Sequence, residues 1–136
     1  MAKRPRDSSR RRSSTGSVQR FEELVGRALD AIPEPFARAL DEVAIVIDDE
    51  PSAGQLREAG LGPDDGLYGL YEGVPRIEYG ADWAFVPNKI TLFRMALVED
   101  FPDPADLERE VRITVVHELA HHLGIDESRL HELGVD

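Results

Sequence analysis

The chain has 136 residues, no cysteine and a formal net charge of −11. That length suits one domain with a small core, and the lack of cysteine excludes disulfides and thiolate metal sites. The acidic balance argues against nucleic acid as the main partner, and no apolar run approaches the roughly 20 residues that span a bilayer. The cytoplasm is the expected compartment.

The charge is unevenly spread. Residues 1–20 carry a net +6, which leaves −17 on the remaining 116. Their opening, MAKRPRDSSRRRSSTGS, has almost nothing apolar to bury and reads as a disordered basic tail, residues 1–20, ahead of a domain spanning 21–136. It is basic like the start of a signal peptide, but no apolar segment follows. Any contact with nucleic acid is expected through this tail alone.

In FEELVGRALDAI, residues 21–32, Phe21, Leu24, Val25, Ala28, Leu29 and Ile32 share one face of a helix, which Pro33 and Pro35 stop. PEPFARALDEV adds a short helix with Pro35 early in it. VAIVI, residues 43–47, is a continuous β-branched run and reads as a central strand closed by the acidic turn DDEP. Residues 48–66 read as a long loop in which GQLREAG forms a helical turn. The glycines of LYGLYEG, 67–73, suit an edge strand or a hairpin arm. RIEYG and WAFV are short segments, and KITLFRMALV, 89–98, begins as a strand. Trp83, Phe85 and Phe93 are expected in the core.

The clearest element is FPDPADLEREVRITVVHELAHHLG. Asp103 is placed as N-cap, Pro104 as the first helical residue, and Gly124 as the C-terminal stop. Leu107, Val111, Val115, Leu119 and Leu123 recur about every four residues and form a buried stripe. The fold class is α+β: a small mixed sheet packed against this long helix and an N-terminal helix.

The last turns of that helix carry the chemistry. His117 and His121 stand one turn apart, about 5–6 Å between Cβ atoms, so both imidazoles can converge on one zinc ion. Glu118 is rotated by about 100° and is better aimed at a water than at the metal. This is the H-E-x-x-H arrangement, in which the Glu is a general base. For a third ligand, Asp126, Glu127, His131 and Glu132 compete. The longer zincin spacing puts its last ligand three residues after the glycine, at Glu127. Asp126 suits the N-cap of a short helix in DESRLHELG. His131, one turn after Glu127, is the rival ligand or a transition-state helper. His122, rotated away from the pair, reads as a supporting or surface histidine.

HELAHHLGIDESRLHELG, together with NKITLFRMALVEDFPD upstream, resembles the short bacterial zincin-like metallopeptidases of minimal size. The resemblance implies an α+β fold with a small sheet, a long HExxH helix, and one Zn2+ held by His117, His121 and Glu127, with Glu118 as base. In this chain Glu stands where the family commonly has Asp. The expected function is zinc-dependent hydrolysis of peptide bonds in peptide or protein substrates, by a monomer with no membrane attachment. An extended substrate is expected on the edge of the 89–94 strand. The rival expectation is a non-catalytic zinc-binding interaction module of the same fold.

Overall fold

The computed structural model describes residues 2–4, 15–73 and 88–134. In chain order these form β1 (Ala2–Arg4), α1 (Thr15–Asp30), α2 (Phe36–Ala39) with a 3-10 turn at Leu40–Glu42, β2 (Ala44–Asp48) and α3 (Ala53–Glu58). Then come β3 (Gly66–Glu72), β4 (Lys89–Phe93), α4 (Arg94–Asp100), α5 (Pro104–Leu123) and α6 (Glu127–Leu133). The fold is mixed α and β, as the hydrophobic periods require.

The strands make one mixed sheet in the order β1-β3-β4-β2. β2 runs parallel to β4, with Val46 opposite Thr91, while β3 is antiparallel to β4, with Tyr71 opposite Ile90. Three expectations change with this order. VAIVI is an edge strand among the described residues rather than a central one, because of these only β4 pairs with it; its apolar residues are needed where Ile45 and Ile47 pack on the core. LYGLYEG is an interior strand, although it is a hairpin arm. The 89–94 strand has a partner on both sides, so it offers no edge for a substrate.

Two described elements begin within the stretch 1–20. Residues 2–4 pair antiparallel with β3, and α1 begins at Thr15, ahead of the expected start at 21. The strand is held by backbone pairing and by Arg4 rather than by apolar burial, which composition alone does not reveal. Residues 5–14 lie outside the described residues, as do RIEYG, WAFV, Trp83 and Phe85.

β3 carries an irregularity against β1: Ala2 faces Gly69 while Lys3 faces Leu67. Beyond this bulge the side-chain alternation is shifted. Tyr68 packs toward the main core, and a Cβ built on Gly69 points to the same side, at Thr114 of α5. That Cβ would lie 2.6 Å from Thr114 Cγ2 and 3.3 Å from the Thr91 carbonyl oxygen. Glycine is therefore what lets α5 lie directly on the sheet.

The main core joins α1, α5 and one face of the sheet. The expected residues of the first helix, Phe21, Leu24, Val25, Ala28 and Ile32, are buried there, with Leu29 partly so. From α5, Leu107, Val111, Val115 and Leu119 are buried and Leu123 is partly buried, which is the expected stripe. A smaller cluster, Leu56, Leu67, Leu70 and Phe93, lies beneath α3.

Candidate active site

Helix α5 places the site. Asp103 caps it, its carboxylate accepting from the N–H groups of Ala105 and Asp106, and Pro104 follows where a missing N–H costs nothing. Gly124 ends it in the left-handed region at φ 73°, a conformation easy for glycine alone. Asp126 then caps α6 through the N–H of Arg129. The two helices therefore meet across a tight glycine turn, as the sequence signals require.

On this uninterrupted helix His117 is half-buried and His121 exposed, one turn apart. Between them Glu118 is fully buried. Its Oε2 accepts from the backbone N–H of Tyr71 at 3.0 Å. β1 pairs with β3 only as far as Gly69, so Tyr71 lies just past the end of β1. Glu118 thus sits beside β3 past the end of the described β1 pairing, one helical turn beyond Thr114, which packs on Gly69.

Tyr71 organises what surrounds it. Its ring centroid is 5.1 Å from that of His121 and 5.6 Å from that of His122. Its hydroxyl donates to Asn88 Oδ1 at 2.9 Å and lies 3.0 Å from His122 Nδ1. His122 Nε2 lies 2.8 Å from Glu42 Oε1. A carboxylate can only accept, so Nε2 carries the proton of that bond. His122 is fully buried. It is not a surface residue: it ties the end of α5 to Tyr71 and to the turn before β2. Tyr71, Asn88 and Glu42 escaped the sequence reading because no local pattern marks them; their partners stand 17 to 80 positions away.

Glu127 opens α6 and is exposed, and His131 is exposed one turn on. Asp126 is the cap it was expected to be. Among the described residues no three His, Asp or Glu side chains form a group that could hold a metal ion. The donor chemistry nevertheless suits zinc: two accessible imidazoles on one helix face, a carboxylate just past the glycine turn, and no competing thiolate. His117 and His121 share one face of α5, and Glu127 and His131, the expected third-ligand candidates, lie on α6.

A family model described as a zincin-like metallopeptidase matches residues 40–135, from the turn before β2 through α6. The chain belongs to the zincin-like metallopeptidase family. Among solved structures, a conserved hypothetical protein from T. thermophilus is similar to this chain at 28% identity, with a TM-score of 0.51, over 88% of this chain and 99% of that one. No curated protein matches the chain significantly. The zincin-like assignment agrees with the resemblance read in HELAHHLGIDESRLHELG. Among the described residues no helix is long and apolar enough to cross a membrane.

Proposed function

We propose that this protein is a zinc-dependent peptidase in which Glu118 is the general base. The observation that carries the reading is the placement of Glu118. Glu118 follows His117 on the helix that also carries His121 one turn on, and its carboxylate accepts from the Tyr71 N–H of β3, a strand on which an extended peptide could pair. His117, His121 and Glu127 would hold one zinc ion, with His131 the alternative ligand or a helper in the transition state. Bound zinc would supply a Lewis acid that polarises the scissile carbonyl and acidifies a water. Glu118 takes the proton of the attacking water and returns it to the leaving amine. The Tyr71 N–H holds the carboxylate in one orientation, and the His122–Glu42 link holds Tyr71. The substrate is a peptide or protein, and the enzyme acts as a cytoplasmic monomer.

One observation favours a second reading. Glu118 is buried and bonded to a backbone N–H, as a purely structural carboxylate would be. A non-catalytic zinc module would use it that way. Bound zinc and peptide cleavage, measured on the native chain, Glu118→Gln and Glu127→Ala, separate the two. The peptidase reading expects Glu118→Gln to keep its zinc and lose cleavage at least ~100-fold, within the range of general-base contributions. A zinc-loaded native chain that cleaves nothing supports the module. Undiminished zinc affinity in Glu127→Ala removes Glu127 from the ligand set.

A further inference from the structure

We propose that the outer edge of β3 is a docking site for an extended, arginine-bearing peptide, and that the chain's own β1 occupies this site and holds it closed. For its effect on turnover the inference rests on the peptidase reading; the docking itself does not.

β1 contributes three residues, and its pairing with β3 runs from Gly66 to Gly69. So short a strand is weak on its own. Its hold comes from Arg4, whose Nε lies 3.1 Å from Asp100 Oδ2 and whose Nη2 lies 3.0 Å from Asp100 Oδ1 and 2.7 Å from Glu99 Oε2. Tyr68 donates to Asp100 Oδ2 at 2.6 Å and fixes that carboxylate. The side chains of Arg4, Glu99 and Asp100 are only 9%, 3% and 13% exposed. The arrangement is a fork-on-carboxylate seat that a guanidinium fills and an ammonium does not. Gly66 completes it: a Cβ there would come within 3.1 Å of Arg4 Cδ, so the bare backbone is the floor on which the arginine stem lies. Beside Arg4 a cavity of about 240 Å³, bordered by Asp49, Glu50 and Asp65, leaves room for further basic groups.

The position of this seat gives it a function. Along the same strand, Gly69 faces Thr114 of α5, and one helical turn on, the Tyr71 N–H meets Glu118. β1 is antiparallel to β3, so its N-terminal end points toward Glu118 and Arg4 lies at the far end. A peptide laid down in the same direction would present its N-terminal continuation to Glu118. Its arginine would then lie on the C-terminal side of the bond that is cut. A strand edge pairs with one partner at a time. While β1 is seated the edge is closed to a substrate, so the native chain turns over only in the fraction of time that β1 is displaced, more slowly but measurably.

The test uses the full chain in chelator, so that no cleavage occurs. A fluorescein-labelled MAKRPR peptide, and a control with alanine in its fourth position, are titrated by anisotropy against the native chain, Arg4→Ala, and Arg4→Ala with Asp100→Asn. Vacating the seat in Arg4→Ala is expected to tighten MAKRPR binding at least ~10-fold over the native chain, the size of effect that removing a competing occupant produces. The control peptide, or the added Asp100→Asn, should lose that gain. Equal binding by the native chain and Arg4→Ala, or equal binding of the two peptides, overturns the proposal. Should Arg4→Ala fail to fold, Arg4→Lys takes its place, and binding no tighter than that of the native chain is again fatal. With zinc restored, Arg4→Ala should cleave an arginine-containing peptide faster than the native chain. Binding without cleavage by either protein leaves the docking site standing and sinks the peptidase reading.

Discussion

Gly69→Ala places a methyl group where α5 touches the sheet. The new Cβ would stand 2.6 Å from Thr114 Cγ2, about 0.8 Å inside the 3.4 Å at which ordinary contact begins. Thr114 is buried and its helix is packed along its length, so the neighbour has little room to give. Overpacking of this kind costs about 1–3 kcal/mol, against which the loss of glycine's freedom in the unfolded chain returns about 0.4–1 kcal/mol. The net expectation is a loss of about 1–2 kcal/mol, seen as a fall in Tm of roughly 3–10 °C. Urea titration and thermal melting followed by circular dichroism measure it. Thr114→Ser removes the offending methyl, so the double variant should recover roughly 1 kcal/mol relative to additivity. A Gly69→Ala chain as stable as the native one, or a double variant with no recovery, would refute the claim that glycine sets the helix-to-sheet distance.

Removing the cap of α5 with Asp103→Ala should lower stability by about 1 kcal/mol, because the N–H groups of Ala105 and Asp106 lose their acceptor; a urea titration shows it as a lower midpoint with unchanged slope. Alkali should loosen the seat of Arg4. Burial first, then the hydrogen bond to Asp100, pushes the Tyr68 hydroxyl well above its usual range. The folded chain therefore keeps this proton when the unfolded chain has begun to lose it. The contribution is complete below a pH of about 10 and is lost as the pH rises beyond it. Urea midpoints at about pH 8 and about pH 10.5, on either side of the ordinary tyrosine range, should differ more in the native chain than in Tyr68→Phe, and equal differences would remove Tyr68 from the account.

Much of α5 was legible because its signals are local. A cap, a proline, a stripe at one-turn intervals and a terminal glycine all speak within a few residues of where they act, and His117, Glu118 and His121 fall in register with them. The turn at Gly124 and the cap at Asp126 were legible for the same reason. Sheet order was not. The β-branched run of β2 suggested a strand buried on both sides, yet apolar contact with the core is satisfied at an edge as well. β3 looked weak because of its glycines, and one of those glycines is what allows α5 to lie on it. β1 was hidden by its composition, since its anchorage is a guanidinium whose carboxylate partners lie 95 and 96 positions away. The buried chain from Glu42 through His122 to Tyr71 is long-range in the same sense, and spacing alone left His122 between a supporting and a surface role.

Among the described residues the two faces of the sheet are unequally furnished, with eighteen buried residues in the cluster that includes α5 and four in the cluster beneath α3. Local opening follows the smaller burial, so amide hydrogens of α3 should exchange with solvent well before those in the middle of α5. The cavity beside Arg4 is bounded by Ala53 and Leu56 of that same α3. Local opening is therefore expected first on the side that borders the arginine seat, next to where a strand would have to be exchanged, and later on the side that carries the histidines.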